Sequence, residues 1–286
     1  MKRIGILVAV LVVAVALSGV AAAFTVPGGD KASDKAQSDN GRHMEGWELL
    51  PPSGATPPGL ESVTFIHWKE GAAKPPCNND GICDPGENPS CSDCKNTGDD
   101  EDPEATCYAF MGTYGKKHLQ WRSLPVSYTI NPGSSDLSEA FVVSAVSAGA
   151  EEWDIYAGGE LFAAPSIDYA AQYDVQNYVN AIVWGDLDAG IIGVTKVWFN
   201  PASKSIVEFD MKFNVDYIWG DSLVTSMVMD VQNIATHEFG HAAGLADIYD
   251  ETSCGDVTMF GYSDYGETSK RDIEAPDITG IQRLYP

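Results

Sequence analysis

Residues 107–286 predict one α/β domain, and three observations carry that expectation. Short alternating apolar segments read as strands, two longer segments have helical periodicity, and a tail of about 40 residues has little regular pattern. The predicted order is strand, helix, several strands, helix and a mostly irregular C-terminal segment. At 286 residues the chain has room for one or two domains with a real core. Hydrophobic residues at 44% and charged residues at 20% are ordinary globular values, which excludes wholesale disorder.

Residues 124–130 (LPVSYTI) alternate and run into Asn131-Pro132-Gly133, a strand with a turn signal. Across 138–153, Phe141, Val142, Ala145, Val146 and Trp153 recur at helical spacing, with Ser138 near a plausible cap. Gly149 lies on the same face, where it would permit close packing. Residues 181–184, 193–199 and 205–213 are β-rich and separated by Gly, Asp and Pro. Helical spacing returns across 221–244, through Val224, Met227, Val228, Val231, Ile234 and Ala235.

The 41 acidic residues outnumber the 17 basic ones, giving a formal charge of -24. No nucleic-acid partner is expected, because binding phosphate needs clustered Lys and Arg. The acidity suits a saline medium or divalent cations and decides neither. Residues 1–23 read as a signal peptide: Lys2 and Arg3, an apolar run, then Ala21-Ala22-Ala23. A retained anchor is the alternative, since about 17–20 apolar residues just span a bilayer. Secretion is expected, with membrane contact only if that segment stays attached. Outside the cytoplasm the six cysteines read first as disulfides.

Residues 24–106 are rich in Gly, Pro, Ser, Asp and Asn, and read as a propeptide, linker or small appended module. Their apolar islands at 46–50 and 63–68 are too small for a core of their own. Within 77–94, four cysteines form an acidic module in which two small-loop disulfides outrank a zinc site. Asn78, Asp80, Asp84 and Glu87 nearly match the ligand spacing of an EF-hand loop, which makes calcium a candidate structural ion. Pro76 stands where that loop needs its first ligand. The run 99–102 reads as a solvated hinge. With the small cluster paired internally, Cys107 and Cys254 remain, and a disulfide between them would tie the irregular tail to the start of the domain. The rival is that Cys107 or a cluster thiol ligates zinc in a latent precursor. Latency by some other contact of residues 24–106 stays open.

The chemistry is carried by residues 236–247 (THEFGHAAGLAD). His237 and His241 share one helix face and can share a tetrahedral Zn²⁺. Glu238 is placed to reach a water in the metal's open position. Gly244 permits a left-handed turn that ends the helix and can bring Asp247 back as third ligand. The remaining histidines, His43, His67 and His118, precede or begin the domain, so Asp247 is the best third ligand and Asp250 a weaker substitute.

This HExxHxxGxxD pattern resembles the extended zinc signature of the metzincin metalloproteases, with Asp in place of the usual third His. Residues 258–262 (TMFGY) resemble the Met-turn, with Met259 as the apolar floor beneath the metal. Residues 277–285 resemble the final helix of the matrixins, and 121–130 their first strand. The resemblance implies a zincin-like fold: a twisted, mostly parallel sheet, two long helices and a cleft with zinc at its centre. It also implies that residues 193–199 (GVTKVWF) are an edge strand pairing with extended substrate, an interior strand being the alternative. Tyr262 falls three residues after Met259, which favours a wall of the substrate pocket over a ligand. The loops that hold structural metals in matrixins show no His set here, leaving Asp174, Asp186, Asp188 and Asp210 as calcium candidates against ordinary loop carboxylates.

The expected function is a secreted, monomeric zinc endopeptidase acting on extended peptide or protein, with Glu238 as general base. Its rivals are an inactive protease fold that attaches through the acidic Cys module, and a zinc amidase acting on something other than protein.

Overall fold

The computed structural model describes residues 57–72, 107–114, 117–249 and 251–286, with only the backbone of Glu251 and Thr252. The signal segment 1–23, His43, the Cys module with Asn78, Asp80, Asp84 and Glu87, the acidic run 99–102 and Asp250 lie outside them. No helix among the described residues is long and apolar enough to cross a membrane.

Seven strands build the central sheet: β1 (Glu61–Lys69), β2 (Tyr128–Ile130), β3 (Ser166–Ile167), β4 (Asn180–Gly185), β5 (Ile191–Asn200), β6 (Ser205–Asn214) and β7 (Tyr262–Ser263). Their order across the sheet is β7-β1-β5-β6-β4-β2-β3. Four of the six pairings are parallel, and β5 is antiparallel to both neighbours. Three helices complete the frame: α1 (Glu139–Asp154), α2 (Val231–Ala243) and α3 (Ala275–Leu284).

Helix α1 starts where its sequence predicts, because the Ser138 side chain accepts a hydrogen bond from Phe141 N. It packs on α2 through Gly149, where a Cβ would stand 2.7 Å from Thr236 N. Trp153 Nε1 donates to Thr236 O at 2.8 Å across the same contact. The close approach expected of Gly149 is therefore present, and it brings a buried indole against the second helix. Phe239 of α2 meets Tyr128 and Phe162, which joins that helix to the sheet through aromatic contacts.

Two expectations need correction. Helix α2 begins at Val231, whereas the apolar spacing predicts helix from about residue 221. Asp230 stops it: its carboxylate accepts from Asn233 N at 2.8 Å and from Ser222 N at 2.8 Å. Arg271 clamps Asp230 and Asp221 together, and Trp219–Gly220 pairs with Met229–Asp230 as two short strands. Leu223, Val224 and Met227 are consequently exposed rather than in the core. The second correction concerns 193–199. These residues lie inside β5, which is an interior strand because β1 fills the side expected to be open. Strand β1 contains the apolar island 63–68, and its Phe65, Ile66 and Trp68 join the main core. Each such burial contributes about 1.5–3 kcal/mol relative to exposure.

The C-terminal segment is fixed at several points. Cys107 and Cys254 form the expected disulfide, across a sequence separation of 147. Ile248 N donates to Met259 O, and Gly261 N to Ile248 O. Tyr285 Oη donates to Ala243 O at 2.8 Å, which locks the chain end against the end of α2.

Asp174 pairs with Lys196, while Asp210 accepts from Val175 N and Ala181 N. Among the described residues, no group of potential metal ligands includes Asp174, Asp186, Asp188 or Asp210. Burial, then the nearby Glu208, pushes the Asp210 carboxyl up to about 8. The native state thus keeps a proton that the unfolded chain releases near pH 4, so unfolding becomes easier as pH rises between those values. Asp210→Asn should flatten that dependence: compared with the variant, the wild-type urea midpoint should fall progressively from about pH 4 to about pH 8. Parallel pH profiles of the two proteins would remove Asp210 as the source.

Candidate metal centre

Every residue of α2 from Asn233 to Ala243 is buried, so the polar side chains of His237, Glu238 and His241 need partners within the protein. The helix ends at Gly244, whose φ of 112° is the left-handed conformation expected there. Gly244 N donates to Gly240 O and His241 O, closing the turn. The chain then pairs Leu245–Ala246 with Ala109–Phe110 and returns Asp247 to the two imidazoles.

Three ligand atoms converge. His237 Nε2 and His241 Nε2 are 3.1 Å apart, and Asp247 Oδ1 lies 3.1 Å from the first and 3.4 Å from the second. The outward nitrogens define the tautomers: His237 Nδ1 faces Thr258 O at 2.8 Å and His241 Nδ1 faces Leu245 O at 3.0 Å. A carbonyl only accepts, so each Nδ1 carries the hydrogen and each Nε2 presents a lone pair inward. Two lone pairs and the carboxylate oxygen, buried and without a hydrogen-bond donor at Asp247 Oδ1, fit a cation among them. Two imidazoles and one carboxylate, each imidazole oriented by a backbone carbonyl, suit zinc. Burial raises the Asp247 carboxyl, but the two imidazoles more than offset this and hold it well below the usual carboxylate range.

Glu238 points to the other side of His237. Its Oε2 accepts from Thr195 Oγ1 of β5 at 2.5 Å, and burial pushes its carboxyl up to about 7. Met259 forms the floor: a Cβ on Gly240 would stand 2.2 Å from its sulfur and 2.8 Å from the Trp153 ring. Asp277 of α3 accepts from Thr258 N at 2.8 Å and so holds the carbonyl that orients His237. Tyr262 lies in β7, its ring against those of Tyr249 and Phe260. Lys270 Nζ donates to Tyr262 O at 2.9 Å and steadies that strand.

Four contacts at the site have no counterpart in the motif reading. Thr195 anchors Glu238. Tyr249 lies half-buried beside Asp247, and desolvation followed by that carboxylate holds its hydroxyl well above the usual tyrosine range. Phe65 stacks on His241, with ring centroids 4.1 Å apart and planes 4° from parallel. His67 sits 3.9 Å from the His237 ring and brings Nδ1 to 3.3 Å from Glu238 Oε1. The expectation that His67 stands apart from the centre is thus corrected, because β1 crosses directly over it. His118 does stand apart, its ring tilted against that of Phe110. A 63–68 alternation containing a histidine is the only trace of β1's position in the sequence.

Asp247→Ala should weaken zinc binding by more than the roughly 10–100-fold typical of losing an outer partner, while His118→Ala leaves it unchanged. Competition against a chelating dye measures both, and an unaltered affinity in Asp247→Ala would remove that residue from the ligand set.

No curated protein matches the chain. The matrixin family model, peptidase family M10, matches residues 120–286, a span that contains α2, the three converging ligands, Met259 and α3. With that match over more than half its length, the chain belongs to the matrixin family of zinc metallopeptidases.

Proposed function

We propose that this protein is a secreted endopeptidase that cuts extended polypeptide, with Glu238 as general base. The observation that carries the reading is the separation of tasks on α2. His237, His241 and Asp247 converge on one point, while the adjacent Glu238 is buried, held at one oxygen by Thr195 and raised to about 7. A zinc ion held by the three would supply Lewis acidity for the attacking water and the scissile carbonyl.

The protein's own groups do the rest. A carboxylate beside the converging imidazoles is placed to accept a proton from water and pass it to the leaving amine. Thr195 donates to Oε2 and leaves Oε1 for that exchange. Strands β5 and β7 already hold a strand between them by backbone pairing, a kind of contact that suits an extended chain rather than a small amide. Tyr262, on β7, forms part of the wall of the adjoining pocket. Export is supported by the apolar N-terminal run and by the Cys107–Cys254 disulfide, a bond that persists in oxidising compartments.

The test is a mixed peptide library incubated at high enzyme concentration with zinc-loaded, oxidised full-length protein, products being read by mass spectrometry. Cleavage at internal bonds is expected, falling by about 10²–10⁴-fold in Glu238→Gln with zinc content unchanged. Equal cleavage by that variant would sink the general-base role, and trimming from chain ends alone would sink the endopeptidase.

A further inference from the structure

The central sheet has a second face, turned away from α2, and a loop of chain is fastened over it. Thr195 of β5 reaches Glu238 of α2, so its neighbours Val194 and Lys196 point to the opposite side. In register, Lys196 stands opposite Asp210 of β6, and Trp198 opposite Glu208. A buried lysine and two buried carboxylates thus share that face. Residues 168–179, which join β3 to β4, are held there by the carboxylates. Glu208 accepts from Asn177 N, Tyr178 N and Gln176 Nε2, and Asp210 accepts from Val175 N at 3.3 Å and from Ala181 N, at the start of β4, at 3.1 Å.

Asp174 brings a third carboxylate, and Asp174 and Asp210 are two of the calcium candidates in the sequence. The Asp174 side chain is 8% exposed and forms an ion pair with that of Lys196, which is 5% exposed. Lys196 Nζ also lies 5.0 Å from the centre of the Trp198 ring, and Lys212 Nζ 4.7 Å from that of Tyr173. Asp174 and Tyr178 both hold left-handed backbone, φ 62°, which residues other than glycine keep only where their surroundings enforce it. Carboxylates drawn together in a buried place need positive charge beside them. A calcium ion would supply it by turning about six to eight oxygens toward one centre. Here the oxygens of Glu208 and Asp210 face backbone N–H groups instead, and the positive charge arrives on a side chain of the sheet itself.

We propose that Lys196 is a tethered cation that latches residues 168–179 onto the sheet, so that this face of the domain holds together without bound calcium. The ammonium belongs to β5 and cannot be lost by dilution or to a chelator. Thr195 and Lys196 are consecutive, so β5 is fixed by Glu238 on one face and by the latch on the other. The latch lies on the face away from the metal centre and stands whether or not the protein cuts peptides.

The test is amide hydrogen exchange, read peptide by peptide on zinc-loaded full-length protein, with calcium chloride as the added ion. In wild type, calcium should leave the protection of residues 174–178 unchanged, and reading by peptide separates this face from any calcium bound elsewhere. Lys196→Met keeps most of the apolar stem and removes the charge, and should speed exchange at Val175, Asn177 and Tyr178 by about tenfold or more. Asp174→Asn should act in the same direction, and the double variant should exchange no faster than the faster single one, because both changes break one pair. Asp174 lies on the loop, so its variant carries the test if Lys196→Met does not fold. Unchanged exchange at 174–178 in Asp174→Asn or in a folded Lys196→Met would overturn the latch. So would effects that multiply in the double variant, or calcium slowing exchange at 174–178 in wild type.

Discussion

Three electron-pair donors held within 3.4 Å of one another in a largely buried site repel unless a cation lies between them. Much of the surrounding structure keeps that arrangement from relaxing. The Thr258 carbonyl orients one imidazole, and Thr258 is in turn held by Asp277 at the start of α3. The Leu245 carbonyl orients the other, and it stands in place because Gly244 turns the chain and Ala109–Phe110 pairs with it. The irregular C-terminal segment is thus the support of the centre rather than an appendage. Its disulfide and the Tyr285 bond to Ala243 hold it there without regular secondary structure.

Glycine sets the distances in this assembly. Gly149 lets α1 approach the backbone of α2, and Gly240 lets Met259 and Trp153 meet beneath the histidines. Each would bring a new Cβ within 3 Å of a neighbour, closer than a packed interior tolerates. Met259 and the Trp153 indole therefore define how deeply α2 sits, and with it the height of His237 and His241 above the sheet.

What was legible in the sequence followed from local spacing. The four-residue step between His237 and His241, the glycine at 244 and the serine at 138 act within one or two turns of chain, and each has the expected conformation. The limits appear where a contact spans the chain. Apolar spacing extends through Val224 and Met227, yet Asp230 and Arg271 end the helix sooner by a pairing forty-one residues apart. Strand β1 makes sense only beside β5 and β7, and an island of six apolar-rich residues does not announce partners far along the chain. Thr195 and Tyr249 are similarly ordinary residues given a role by the sheet and the turn that carry them.

The slot filled by β1 has a long side along β5 and a short one at Tyr262–Ser263, and without β1 the N–H and C=O groups that pair there would be left open. Such edges are templates for strand addition by other copies of a chain, and hence for aggregation. Filling the slot with nine residues of its own lets the newly made protein fold with those rows already paired. The same segment then serves as an insert that shields a sticky seam during assembly.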